Sequence, residues 1–264
     1  MKNIVLSFFD YTGEAVKPWA DAGFECHCFD IQHEAGHTVR HGKGSITFHH
    51  WDALQPFDVT PYMGRVAMVF GFPPCTDLAS SGALHWAKKR EANPRFQEEA
   101  ADMAIGVMCI ARELDAPFCI ENPNGALSTL WRKADHSFDP CDFGGYLSAS
   151  ELHPTWPEYI PAQDAYTKRT RIWSGNGFRF PTMDAVEPIL VSFTKKDGTV
   201  TKGSPQWAKL GGKSLKTKNI RSATPRGFAK AVYLANGFPT LLEMMDLKHG
   251  QHARFIRGRK DPHA

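Results

Sequence analysis

Four short, almost continuously apolar runs separated by helical patterns constrain this chain most: NIVLSFFD at 3–10, FECHCFDI at 24–31, RVAMVFGF at 65–72 and APFCIENP at 116–123. Continuous apolar strands are buried on both faces, which is the environment of a parallel sheet covered by helices. The intervening segments agree. EAVKPWADAG (14–23) reads as a helix ending near Gly23, and RFQEEAADMAIGVMCIARELD (95–115) as a long amphipathic one. The expectation is an α/β fold of Rossmann-like order, opening β-α-β and alternating to about residue 123. A later segment, SATPRGFAKAVYLANG (222–237), returns to helix, with Pro225 near its start and Gly237 near its end.

Composition narrows the class. At 264 residues with 42% hydrophobic side chains, the chain can bury a substantial core as one domain, or as one main domain with a small annex. No apolar run approaches eighteen residues, so no membrane partner is expected. The beginning MKNIVLSFFDYTG lacks a small-residue cleavage site and reads as a strand. Six cysteines without paired spacing fit a reducing cytoplasm. The formal charge of +3 identifies no partner, but residues 194–219 carry seven lysines against Asp197 alone, and the tail KHGQHARFIRGRK is basic. Such stretches bind polyanions or are simply solvated.

In open parallel sheets, ligands gather at the carboxyl ends of strands. Polar motifs stand at those ends here: Asp10 to Gly13, Asp30, the loop FGFPPCTDLASSG (70–82), and Glu121-Asn122-Pro123. In the third, Pro73 and Pro74 stiffen the backbone before Cys75, which is either a positioned nucleophile or a buried thiol beside a turn. Glu121 either caps the next helix or points into the site. Arg169 and Arg171 of KRTRIW are two apart, on one face of an extended strand, as an anion clamp or as surface charge.

Together, PPCTDLASSG, IENP, TKRTR and IRSATPRGF, in that order, resemble the nucleophile, ENV, QxRxR and late TPR motifs of the C5-cytosine DNA methyltransferases, compact phage-like members included. Departures are Pro123 for the ENV valine, Thr167 for the glutamine, Tyr11 and Glu14 in place of first-turn glycines, and no clear late GN-V segment, Asn236 being the substitute at hand. The resemblance implies a Rossmann-like S-adenosylmethionine-dependent sheet over 1–175, a small irregular, basic target-recognition insert at 176–218, and a helical return with a basic tail at 219–264. It implies a monomer acting on cytosine in double-stranded DNA, with short or relaxed sequence specificity. Cys75 would be the nucleophile on C6, Glu121 the group at N3, Arg171 the contact to O2, and Arg169 an orienting residue. Phe9, Asp10, Thr12, Gly13, Asp30, Ile31, Asp52 and Pro73 would line the cofactor site, with Trp51 against the adenine. Ser80 and Ser81 on a base-closing loop, with Lys195, Lys196, Lys202 and Lys213, would contact DNA. No metal is implied.

Two alternatives stay open. HEAGH (33–37) fits the H-E-x-x-H zinc-hydrolase pattern, with His33 and His37 as ligands, Glu34 activating water and His41 one turn on. The other is a DNA-binding homologue without activity.

Overall fold

A computed structural model describes residues 2–237 apart from 35, 196 and 213. Lys196, Lys213 and the basic tail therefore lie outside the described residues. The elements in chain order are β1 (Ile4–Phe8), α1 (Lys17–Ala22), β2 (Glu25–Asp30), β3 (His37–His41), β4 (Gly44–His50), β5 (Val66–Gly71), α2 (Trp86–Ala92), α3 (Phe96–Glu113) and β6 (Phe118–Pro123). They continue with α4 (Leu127–Leu130), β7 (His136–Phe138), β8 (Thr170–Gly175), β9 (Val191–Thr194), β10 (Val200–Gly203), α5 (Pro205–Lys209), α6 (Leu215–Ser222) and α7 (Arg226–Asn236).

Eight strands form one sheet in the order β3-β4-β2-β1-β5-β6-β8-β7. The central five run parallel, and β3, β8 and β7 pair antiparallel at the two sides. This mixed α/β architecture matches the expectation from the four apolar runs. Alternation within β1 explains why those runs are continuous. Ile4, Leu6 and Phe8 join the core beneath α3, while Val5 faces the opposite core with Trp19 of α1 and Phe228 of α7. Helices thus cover both faces, and no strand position in β1 is left to solvent.

Gly23 terminates α1 at φ +109°, a left-handed conformation that glycine adopts without steric cost. The helix begins only at Lys17, three residues later than its pattern suggests, because residues 13–16 are used by the turn out of β1. At the other end of the chain, Pro225 is the N-cap of α7, and α6 is a separate helix before it.

The β3–β4 hairpin disposes of the zinc-hydrolase alternative. His33 lies just after the turn that leaves β2 and His37 begins a strand, so the two imidazoles do not share a helix face. His33 is buried with Nε2 3.1 Å from the Asp10 carbonyl oxygen, and among the described residues no group of three His, Cys, Asp or Glu is arranged to hold a metal.

The segment expected to be irregular contains its own small sheet, β9 with β10, capped by α5 through Phe193 against Trp207 at 4.3 Å. Among the described residues, no helix is long and apolar enough to cross a membrane.

Candidate active site

Parallel pairing puts the carboxyl ends of β1, β2, β5 and β6 along one edge, since Phe8 pairs with Phe29 and Gly71, and Gly71 with Ile120. The loops bearing Asp10, Asp30, Cys75 and the residues after Pro123 therefore leave from that edge, as expected of a ligand site in such a sheet.

The Cys75 loop is held by its neighbour rather than free. Asn122, buried at the end of β6, donates from Nδ2 to the Pro73 carbonyl at 2.9 Å. Cys75 then turns the chain, its carbonyl accepting from the amides of Leu78 (3.1 Å) and Ala79 (2.8 Å). Ala126 donates to the Leu78 carbonyl at 2.8 Å, Ser80 donates to the Asn124 carbonyl through both its amide and its hydroxyl, and Ala79 bridges Gly125. Asp77 is ion-paired with Lys89 of α2. The stretch leading to the serines is thus held, with 78–80 bonded to 124–126, and exposure resumes after buried Leu78 and Ala79 at Ser80 and Ser81, the residues expected on a base-closing loop. Asn122 is the residue that sequence reasoning passed over; its signal was only that it adjoins Glu121 and must point to the opposite face of the strand.

This clamp needs a glycine. A Cβ on Gly125 would be driven into the Leu78 carbonyl. Gly125→Ala should therefore cost about 1–3 kcal/mol, the usual penalty for overpacking, read as a lower urea midpoint at unchanged slope.

Cys75 is an exposed cysteine, in contrast to buried Cys26, Cys28, Cys119 and Cys141. Partial desolvation and the Glu121 carboxylate raise its thiol above the ordinary value, while Lys168 and Arg221 oppose the rise. Glu121 lies at the end of β6 with one carboxylate oxygen, Oε1, buried and without a hydrogen bond, and with Lys168 Nζ at 3.9 Å. Glu121, Lys168, Phe72, Phe138 and residues 222–225 enclose a cavity of only about 10 Å³. That space holds one water and no base, so admission of a pyrimidine beside Glu121 requires this wall to move.

The two arginines are not brought to Glu121. Arg171 donates to Ser128 Oγ at 2.8 Å, and Arg169, largely exposed, pairs with Asp139 at 3.2 Å. It is Lys168, just ahead of this strand, that lies 3.9 Å from the carboxylate.

A second opening lies on the α3 side of the same edge. This cleft, of about 380 Å³, is lined by Phe9, Trp51, Leu54, Phe57, Asp102 and Met103 among others. Phe9 holds a left-handed φ of +58°, unusual for a side chain of that size and characteristic of functional turns. Trp51 stands over it at 5.4 Å between ring centres, with its indole Nε1 buried and unpartnered. Asp30, at the end of β2, accepts from the Gln32 amide at 2.8 Å, and its carbonyl accepts from Trp51 N. Ile31 is exposed, and Asp52 closes a turn by accepting from Leu54 N.

Asp10 does not face this cleft as a free acid. It is buried, accepting from Ser7 Oγ at 2.7 Å, Gly13 N at 2.7 Å and Thr12 Oγ1 at 3.3 Å, and burial raises its pKa despite those bonds. It shapes the first turn. Gly13 belongs to the same device, because its φ is +67° and a Cβ there would crowd the Phe48 ring. Pro73 is buried and serves through its carbonyl. Asn236 is a staple between α7 and Arg179, bonding both backbone groups of that residue. Lys195 and Lys202 are exposed on the β9–β10 hairpin.

No protein-family model matches the chain, and comparison with curated proteins finds no relative. Among solved structures, an E. coli protein with the provisional description of a DNA modification methyltransferase, encoded within a prophage, is similar over 70% of this chain and 52% of its own, at 14% identity and a TM-score of 0.39. The chain spans about half the length of that structure, and at this TM-score neither fold nor activity is transferred from it.

Proposed function

We propose that the chain is a DNA (cytosine-5)-methyltransferase using S-adenosylmethionine, its sheet being the Rossmann-like methyltransferase sheet and its 176–218 segment the target-recognition part. One observation carries the reading: an exposed cysteine on a Pro-Pro loop and a buried, hydrogen-bond-poor carboxylate whose charge acts on its thiol stand at the carboxyl edge of a parallel sheet that also opens an aromatic cleft.

The cleft suits the cofactor. Its volume is in the range of small-molecule sites, its aromatic walls suit an adenine ring, and the orphaned Trp51 N–H is a donor waiting for an acceptor. Phe9, Trp51 and Phe57 would hold the base, and Asp30 the ribose hydroxyls. When bound, S-adenosylmethionine supplies an electrophilic methyl group.

C5 of cytosine is a weak nucleophile, so the residues must first enrich it. The Cys75 thiolate adds to C6, and the displaced electron pair passes toward C5 and N3. Glu121, as the carboxylic acid, donates its proton to N3, where that charge accumulates, and its other oxygen accepts from the exocyclic amine. After transfer, water takes the C5 proton, the C–H electron pair restores the C5–C6 double bond, and the C6–S bond breaks to return the Cys75 thiolate. The target is hidden in a stacked duplex, so it must be flipped out, at a cost of a few kcal/mol. Arg169, Lys195, Lys202, Ser80 and Ser81 are exposed groups suited to phosphate contacts. Arg171 would reach O2 only after leaving Ser128.

The test is transfer of labelled methyl from S-adenosylmethionine to cytosine-containing duplex, with 5-methylcytosine as product; no product in the presence of bound cofactor would refute it. Calorimetry tests the cleft separately. Trp51→Leu should weaken cofactor binding about 3- to 10-fold, the worth of one aromatic stacking contact. The non-catalytic alternative predicts that wild-type protein binds DNA but no cofactor at all.

A further inference from the structure

Three cations lie within four residues at the start of β8, Lys168, Arg169 and Arg171, and the sheet register sorts them. Glu121 is opposite Ile172 and Asn122 is opposite Arg171. Directly opposed residues share a face and successive ones alternate, so Glu121 belongs with Ile172, Thr170 and the residue two before it, while Arg171 and Arg169 belong with Asn122. Side-chain contacts agree. The arginines turn to Ser128 and Asp139, and Lys168 lines the Glu121 cavity with its Nζ 3.9 Å from the carboxylate.

We propose that Lys168 is the positioning cation of this site: its ammonium group fixes the Glu121 carboxylate and offsets that carboxylate's charge at the Cys75 sulfur. Both partners are mostly shielded from water, with side-chain exposures of 25% and 15%, so the charge is screened less than at an open surface. The charges that act on Cys75 are those of Glu121 from β6, Lys168 ahead of β8 and Arg221 from α6. On its own loop, Asp77 is already neutralised by Lys89. Glu121 pushes the thiol up, and Lys168 and Arg221 pull it down. Arg221 is anchored elsewhere, donating to the Leu210 carbonyl at 2.6 Å, which leaves Lys168, at 3.9 Å, as the cation paired with the carboxylate.

The consequence for catalysis rests on the methyltransferase reading, whereas the electrostatic coupling does not. It is tested on the free full-length protein by the pH dependence of iodoacetamide alkylation at Cys75, with Cys109→Ala throughout to remove the other exposed thiol. Lys168→Met should move the alkylation midpoint to higher pH and slow the reaction near neutrality about 3- to 10-fold, as a shift of half to one pH unit requires. Lys168→Arg should restore the profile, and Glu121→Gln should move it to lower pH. Lys168→Gln repeats the charge loss should the Met variant fail to fold. An unmoved profile in the charge-removed variants, or an Arg variant shifted as far as the Met variant, would overturn the proposal.

Adduct formation by the wild type on 5-fluorocytosine duplex reports the reaction independently. A profile shift without an adduct would remove the methyltransferase reading and leave the coupling in place. An adduct without a profile shift would do the reverse.

Discussion

Cys75→Ala should lower methyl transfer by at least about 10⁴-fold, the scale on which removing a covalent nucleophile acts. The same change should leave unfolding free energy within about 0.5 kcal/mol, as expected at an exposed position. The contrast stems from where the loop is held. Its fixing bonds use the Pro73 and Cys75 carbonyls and the amides of residues 78–80, all of which alanine retains. The sulfur contributes chemistry and little packing. Labelled methyl incorporation and urea unfolding measure the two sides, and a variant keeping more than a tenth of its activity would remove Cys75 from the mechanism.

The largest loss of stability should come from Arg226→Met, about 3–5 kcal/mol, the cost of orphaning one member of a buried ion pair. Arg226 opens α7, 8% exposed, and Asp164 is 1% exposed. The guanidinium donates to Asp164 Oδ1 at 2.9 and 3.2 Å and to the Leu152 carbonyl at 2.9 Å, so it joins α7 to the segment that precedes β8. Methionine fills much of the volume but leaves the carboxylate with backbone amide donors and no countercharge. Burial already raises the Asp164 pKa, with Arg226 opposing, and removing the arginine raises it further. A carboxyl whose folded pKa lies above its unfolded value loses its stabilising contribution as pH climbs through the folded pKa. The deficit of Arg226→Met relative to wild type should therefore be smaller at pH 5 than at pH 8 in urea titrations. A deficit below about 1 kcal/mol, equal at both values, would mean that the pair is worth no more than a surface contact.

How much of the molecule was readable from its residues depends on what fixed each feature. β1, β2, β5 and β6 were legible because burial on both faces writes itself as continuous apolar sequence, and parallel order then brought the Cys75 and Glu121 loops to one edge. The β3–β4 hairpin was not. HTVRH is a polar edge strand paired with GSITFHH, and GSITFHH takes its place by pairing with β2, a contact across a long connection that no local pattern encodes. Period two groups Arg169 with Arg171. It could not say which face of β8 meets Glu121, because that is decided by the register of Asn122 against Arg171. Asp10 illustrates a third limit: an acid after a strand looks like a cofactor contact, yet here the Gly13 amide and the Ser7 hydroxyl turn it inward.

The central claim is that Cys75 adds to C6 of a cytosine extruded from DNA, and covalent trapping tests it most directly. With 5-fluorocytosine in place of the target base, C5 has no proton to lose after methyl transfer, so the C6–S bond cannot be released. Incubation of the wild type with such a duplex and S-adenosylmethionine should give a denaturant-resistant protein–DNA species whose modified peptide contains Cys75, absent for Cys75→Ala. A wild-type protein that binds both cofactor and duplex yet forms no such species, or an adduct that persists in Cys75→Ala, would contradict it.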